Sequence, residues 1–217
     1  MKRILIFGGT GRTGRLAIDY ALSPEKKLEV VALVRSPKKL AARQGLTILQ
    51  GTPESLSDVQ RAIRGCDAVL SFLSPRSTDN PFTRDVAPNL LTMAATNAAT
   101  AMKANDVRRI VILSAWGVGD SWRELPGVAR WLIERSNLKT IYADHANEEL
   151  VLDAAGLDWT SVRAVLLTGG GLTRTRLSEH GTPRPSSFIS RQTVATFMID
   201  SLLHREFFGK ALVASRA

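Results

Sequence analysis

The run Phe7-Gly8-Gly9-Thr10-Gly11-Arg12-Thr13-Gly14 packs glycines and hydroxyls into a short stretch next to an apolar segment. Two spacings coexist in it. Gly9, Gly11 and Gly14 fit G-x-G-x-x-G, while Gly8, Gly11 and Gly14 fit G-x-x-G-x-x-G. Glycine permits a tight turn, lets backbone approach a pyrophosphate and lets a helix pack closely on a strand. A helix that starts there turns free N–H groups and a partial positive charge toward the anion, and Thr10 and Thr13 add hydroxyl donors. The chemistry that follows from this run is dinucleotide binding.

Which dinucleotide depends on the end of the next strand. An Asp or Glu there accepts hydrogen bonds from the ribose hydroxyls of NAD(H). Here the chain reads Leu33-Val34-Arg35-Ser36, with Lys38 and Lys39 following. An acid would repel a 2′-phosphate, whereas guanidinium and ammonium groups attract it. Arg35 and Lys39, flanked by Arg12 of the glycine run, therefore predict NADP(H).

Candidates for the reacting end are fewer. Ser114 closes the apolar run Val111-Ile112-Leu113. Ligands of open α/β sheets lie beyond the carboxyl ends of strands, so its hydroxyl is placed to bond a substrate carbonyl or the nicotinamide amide. His145 is the remaining proton-transfer candidate by residue type, with Asp144 beside it. Neighbours in a helix point about 100° apart, so these two are not an orienting pair. A Tyr-x-x-x-Lys pair, in which lysine lowers the phenol pKa for proton transfer, is absent. Tyr142 is followed four residues on by Ala146, and the other tyrosine, Tyr20, falls in the first helix. Trp116 reads either as a stacking surface over the nicotinamide or as core filling. The single Cys66 can form no internal disulfide and reads as a buried position between helix and strand. His and acidic residues show no metal-ligand spacing, so no metal is expected.

The elements that must position these groups alternate. Strands are predicted at Arg3 to Phe7, Leu28 to Val34, Leu46 to Leu49, Ala68 to Leu73, Arg109 to Leu113 and within Leu157 to Leu167. Helices are predicted after the glycine run, at Ser55 to Arg64, from about Thr83 to Asn105 and at Thr140 to Ala155, with a short one opening at Pro37. Strands that are apolar throughout, separated by helices, give a doubly wound, mostly parallel sheet covered on both faces. The tail from about residue 167 to 217 reads as a small substrate-side cap: a Gly-, Pro- and Thr-rich loop over Thr168 to Ser187, a helix over Ser190 to Leu203 and a last strand at Ala211 to Ala214. Its 217 residues fit one domain.

With those residues placed, the chain resembles the atypical short-chain dehydrogenase/reductases, and within them the biliverdin-IX-beta reductase/flavin reductase group and the NmrA-like proteins. The likeness runs in order through Ile6 to Gly14, Leu33-Val34-Arg35, Asp67-Ala68-Val69-Leu70, Val111 to Ala115, Asp144-His145, Gly156-Leu157-Asp158-Trp159-Thr160 and Phe188-Ile189-Ser190-Arg191. It implies a Rossmann fold over nearly the whole chain. It further implies that Thr10 to Thr13 hold the pyrophosphate, Arg35 and Lys39 hold the 2′-phosphate, Leu73 and Ser74 line the adenosine-ribose side, and Ser114 faces nicotinamide and substrate. Two positions depart from the pattern. Thr52 stands where relatives often carry the Asp of a Gly-Asp pair, and Arg163-Ala164-Val165-Leu166 lacks the histidine that the biliverdin/flavin reductase group has after its sixth strand.

The expected activity is hydride transfer from NADPH to a flavin, quinone or related conjugated acceptor, an electron-poor ring that takes its proton from water. The alternative is a non-catalytic NADP(H)-sensing protein of NmrA-like type. A net charge of +9 raises the prospect of nucleic-acid contact. The basic residues are scattered without a recognition motif, so that class ranks last. The partner expected is thus a small-molecule acceptor, with the chain a monomer or homodimer. No apolar run is long enough to span a bilayer and no signal-peptide pattern is present, which predicts a cytoplasmic protein.

Overall fold

A computed structural model of the chain describes residues 1–75 and 89–217. Strand β1 (Arg3–Phe7) leads through the glycine run into helix α1 (Arg12–Ala21), followed by β2 (Glu29–Val34), β3 (Leu46–Gln50), α2 (Leu56–Ala62) and β4 (Ala68–Ser71). Then come α3 (Leu90–Ala104), β5 (Arg109–Ala115), α4 (Gly127–Glu134), α5 (Leu138–Ala154) and β6 (Asp158–Ala164). The tail supplies β7 (Leu166–Thr168), β8 (Thr175–Ser178), β9 (Phe188–Ser190), α6 (Arg191–Asp200) and β10 (Lys210–Arg216). The helix expected from about Thr83 is observed from Leu90; its expected first residues lie outside the described residues.

The sheet order is β3-β2-β1-β4-β5-β6-β10-β8, with every neighbouring pair parallel except β10 and β8. This is the doubly wound, mostly parallel sheet that strand-helix alternation predicts. The order reverses between β1 and β4, so a crevice opens there beyond the strand ends. Alternate residues divide between two buried layers. Ile4, Ile6, Val111, Leu113 and Val162 join the layer against α1 and α6, while Leu5, Phe7, Ile110, Ile112 and Trp159 join the layer against α2, α3 and α5.

The C-terminal extra elements divide in two. The ribbon β7-β9 follows the carboxyl end of β6 and so lies on the ligand side of the sheet. Helix α6 and strand β10 instead complete the sheet and its helical layer. Tyr20 and Lys26 both bond Asp200, tying α1 to α6. The segment expected as loop over Thr168 to Ser187 contains β8. Its alternation of Thr and Arg with Leu and Ser hid a strand whose outer edge is polar and whose inner pairing is with distant β10.

Candidate cofactor and active site

The glycine run forms the turn its spacing requires. Gly8 adopts a positive φ of 73°, and a Cβ there would come within 2.6 Å of the Phe72 carbonyl oxygen. The turn thus seats against the end of β4, next to Leu73. Gly11 N–H donates to the Gly8 carbonyl at 2.9 Å, and a Cβ on Gly14 would collide with that same carbonyl. Of the two spacings, Gly8-x-x-Gly11-x-x-Gly14 is the one whose first and last glycines the geometry demands. A concave backbone cradle at the N-terminus of α1, which side chains would fill, fits a pyrophosphate.

One residue organises the rim of this cradle. Arg15 donates from Nε to the Thr10 carbonyl (3.2 Å) and from Nη2 to the Lys39 carbonyl (2.9 Å). It clips the turn at Pro37–Lys39 onto the glycine loop, and Arg12, Arg35 and Lys39 are all exposed. Sequence reading missed Arg15; its only signal was a further base one turn into a helix already rich in arginine. Thr13 is buried and Thr10 half-buried, whereas Leu73 is half-buried and Ser74 exposed beyond β4. At β3 the Thr52 departure has a compensation. Asp58 of α2 turns back to accept from Thr52 N–H at 3.1 Å, so a carboxylate does stand beside that strand end, supplied from a helix.

Ser114 lies near the carboxyl end of β5, two strands from β1 and therefore about 10 Å across the sheet. It is buried, and its Oγ has no hydrogen-bond partner among the described residues. Its register partner on β6 is Arg163. Arg163 meets Glu149 of α5 through Nη2 at 2.6 Å and Nε at 3.1 Å, and also pairs with Asp120. Ser161 adds a 2.6 Å bond to Glu149. Register-paired residues on parallel strands share a face, so Ser114 projects into the layer that holds α5.

His145 is in that layer. It is buried, with Nδ1 at 3.4 Å from Oε2 of Glu148. Asp144 points elsewhere and accepts from Leu91 N–H, Thr92 N–H and the Thr92 hydroxyl, capping α3. The neighbours Asp144 and His145 thus serve different elements, and the histidine's companion is Glu148, one turn on. Nothing in the sequence marks Glu148 and Glu149 as buried, because paired glutamates in a helix usually face water.

Beyond β5 the indole of Trp116 donates to Glu124 at 3.0 Å, and its carbonyl accepts from Tyr142 at 3.1 Å. Burial pushes the Tyr142 phenol up to about 12. A cleft of about 270 Å³ lies here, lined by Trp116, Glu124, Pro126, Gly181 and Arg184. Trp116 and the segment after β8 therefore face a common space. Cys66 is buried and its thiol raised to about 11 by desolvation. Among the described residues no His, Cys, Asp and Glu group is arranged to hold a metal, and no helix is long and apolar enough to cross a membrane.

A parallel sheet with a glycine cradle at its reversal point defines a Rossmann-type nucleotide-binding protein. Residues 8–205 match the sequence model of an NAD(P)H-binding family, and the chain belongs to that family. Its fold is similar to that of a Veillonella parvula short-chain dehydrogenase/reductase solved in complex with NADP (TM-score 0.81, 16% identity, covering 99% of this chain and 94% of that one). It is also similar to ChuY, an anaerobillin reductase of Escherichia coli O157:H7 (TM-score 0.80, 18% identity, 99% and 97% covered). A Rossmann-fold NAD(P)-binding protein of Shigella flexneri gives a TM-score of 0.70 at 23% identity, with 100% and 94% covered.

Proposed function

We propose that the protein is an NADPH-dependent reductase that passes hydride to a flavin, quinone or related conjugated acceptor. The observation that carries this reading is the Arg15 clip, which ties the Lys39 carbonyl to the glycine loop just beyond the exposed Arg35. In this reading Gly8, Thr10, Gly11, Thr13 and Gly14 hold the pyrophosphate, and Arg35 and Lys39 hold the 2′-phosphate. Leu73 and Ser74 border the adenosine ribose. Bound NADPH supplies the hydride. The acceptor lies over Trp116 in the cleft closed by Gly181 and Arg184, with Ser114 as the hydroxyl that orients it. The Veillonella neighbour's NADP complex and the Escherichia neighbour's reductase activity are consistent with this assignment.

A cofactor-sensing role without turnover is the second reading. What favours it is that both phenols are engaged, Tyr142 with the Trp116 carbonyl and Tyr20 with Asp200. The discriminating experiment mixes the protein with NADPH and a panel of flavins and quinones while following oxidation of the cofactor. Turnover with any of them supports the reductase. Redox-selective binding with no turnover supports the sensor. Arg35→Glu is expected to weaken NADPH binding by about tenfold or more while leaving NADH nearly unchanged. Equal loss of both would overturn the 2′-phosphate assignment.

A further inference from the structure

Three carboxylates line the buried side of α5, and two of them have fixed partners. Asp144 caps α3 through three donors. Glu149 is neutralised by Arg163 and Ser161. Glu148 is the third. It is 2% exposed, and among the described residues its Oε2 has no hydrogen-bond partner and approaches Nδ1 of His145, which has none either. The 3.4 Å approach brings the atoms together without the alignment of a settled hydrogen bond. A buried carboxylate left this way costs stability, so its retention calls for a use.

The position of the pair suggests that use. Tyr142, three residues before His145, reaches the Trp116 carbonyl. Glu149, four residues after it, reaches Arg163. His145 therefore lies along α5 between the level of Trp116 and the level of Arg163. Ser114 occupies that interval on β5, in register with Arg163 and on the same face. Its own hydroxyl is also a buried polar atom without a hydrogen-bond partner among the described residues.

We propose that His145 and Glu148 form a buried proton-holding dyad that serves the reaction site through Ser114. This rests on the reductase reading above. The pair holds one proton between its two bases. The acceptor gains a hydride from the cofactor and a proton from the Ser114 hydroxyl; the dyad returns a proton to Ser114, and solvent refills the dyad. Ser114 is the group that touches the acceptor, and His145 and Glu148 act through it. Burial, helped by the Asp144 and Glu149 carboxylates and opposed by His145, raises Glu148 to about 7. Arg163 does not offset this, because Glu149 and Asp120 already share its charge, and Asp120 also faces His180. The remaining titratable group facing this layer, Tyr142, stays neutral up to about 12.

The test uses the intact protein in two arms. In the first, the ring resonances of His145 are followed by NMR against pH without cofactor, and assigned by comparison with His145→Gln among the chain's three histidines. Their pH dependence is expected to differ between wild type and Glu148→Gln, the midpoint moving by more than half a pH unit. In the second, kcat is measured against pH with the best acceptor of the panel at saturating NADPH. Wild type is expected to lose rate as pH rises through neutrality and the pair's proton departs. Glu148→Gln is expected to lower kcat about tenfold and to move that limb, with NADPH affinity within about twofold of wild type. Identical His145 titrations in wild type and Glu148→Gln would overturn the dyad whether or not any acceptor is turned over. Superimposable kcat profiles would overturn its role in the reaction. If Glu148→Gln fails to fold, Ser114→Ala takes its place in the second arm, and a retained kcat would sink the relay. A coupled titration with no acceptor reduced would leave the dyad standing and remove the reductase.

Discussion

The cofactor rim and the buried face of α5 are both rich in charge, and they use it differently. At the rim the binding surface is backbone: a glycine turn at Gly8, helix N–H groups, and exposed bases set around them. Under the sheet the surface is side chain: Glu149, Arg163, Asp144, His145 and Glu148 are all buried, Glu149, Arg163 and Asp144 with partners from other elements and His145 and Glu148 against each other on α5. The rim tolerates an exposed charge because water solvates it. The α5 layer does not, since a charge there without a partner costs several kcal/mol. The rim can therefore be tuned by single substitutions, whereas the layer responds as a network.

The largest expected effect breaks the rim at its backbone. Alanine is about 1 kcal/mol better than glycine inside a helix, so propensity alone would make Gly14→Ala stabilising. Its Cβ, however, would meet the Gly8 carbonyl and the Gly9 Cα, and neither is a flexible side-chain tip that can swing aside. The loop must move away from α1, and the cradle goes with it. Titration with NADPH should show affinity reduced about a hundredfold or more, near 3 kcal/mol. An affinity within about threefold of wild type would mean that the cradle is not where the pyrophosphate sits.

Next in size is the network's response. Arg163→Met should destabilise the fold by about 3–5 kcal/mol in urea, because it leaves the buried Glu149 charge with the Ser161 hydroxyl and no cation. Removing both charges, in Arg163→Met with Glu149→Leu, should recover most of that loss. A double variant no better than the single would show that the pair's packing matters more than its charge.

Glu148 supplies a smaller effect with a sign that follows from its pKa. Its folded carboxyl sits at about 7, above the ordinary 4.5, so the native state holds the proton more tightly than the unfolded chain. The burial cost is absent below about pH 4.5, grows between there and about pH 7, and is complete above, up to roughly 3 kcal/mol. Glu148→Gln should therefore be more stable than wild type at pH 8 and gain nothing at pH 4.5, as measured by urea unfolding. That the same change is expected to slow turnover sharpens the contrast: the layer gives up stability where the chemistry uses it. Equal effects at both pH values would remove titration of Glu148 as the cause.

The two regions also differ in how far the sequence exposed them. The glycine spacing, the strand before it and the bases at Arg35 and Lys39 lie within one strand-helix-strand unit, so local pattern was enough to place them. The doubly wound, mostly parallel sheet followed from the alternation for the same reason. The α5 layer depends on contacts between positions remote in the chain, such as Asp144 with Leu91 and Glu149 with Arg163. Nothing in Glu148-Glu149 says which side of a helix faces a sheet, and helical geometry separated His145 from Asp144 without marking Glu148 as its companion. Strand β8 was hidden likewise, its partner β10 lying more than thirty residues on.

Arg15 is where local and remote meet, and it gives the finest test of the comparison. It holds the Lys39 turn in place through two carbonyls, those of Thr10 and Lys39. Arg15→Ala should release the Pro37–Lys39 turn while removing one side-chain bond, at the Thr10 carbonyl, from the glycine cradle. Two hydrogen bonds from an exposed guanidinium contribute on the order of 1 kcal/mol, so NADPH affinity should fall about threefold to fivefold. NADH, which has no 2′-phosphate for Lys39 to meet, should lose less than about twofold. Comparing the two titrations separates a rim that reads the phosphate from one that merely shapes the loop: a proportional loss of both cofactors would assign Arg15 to the cradle itself.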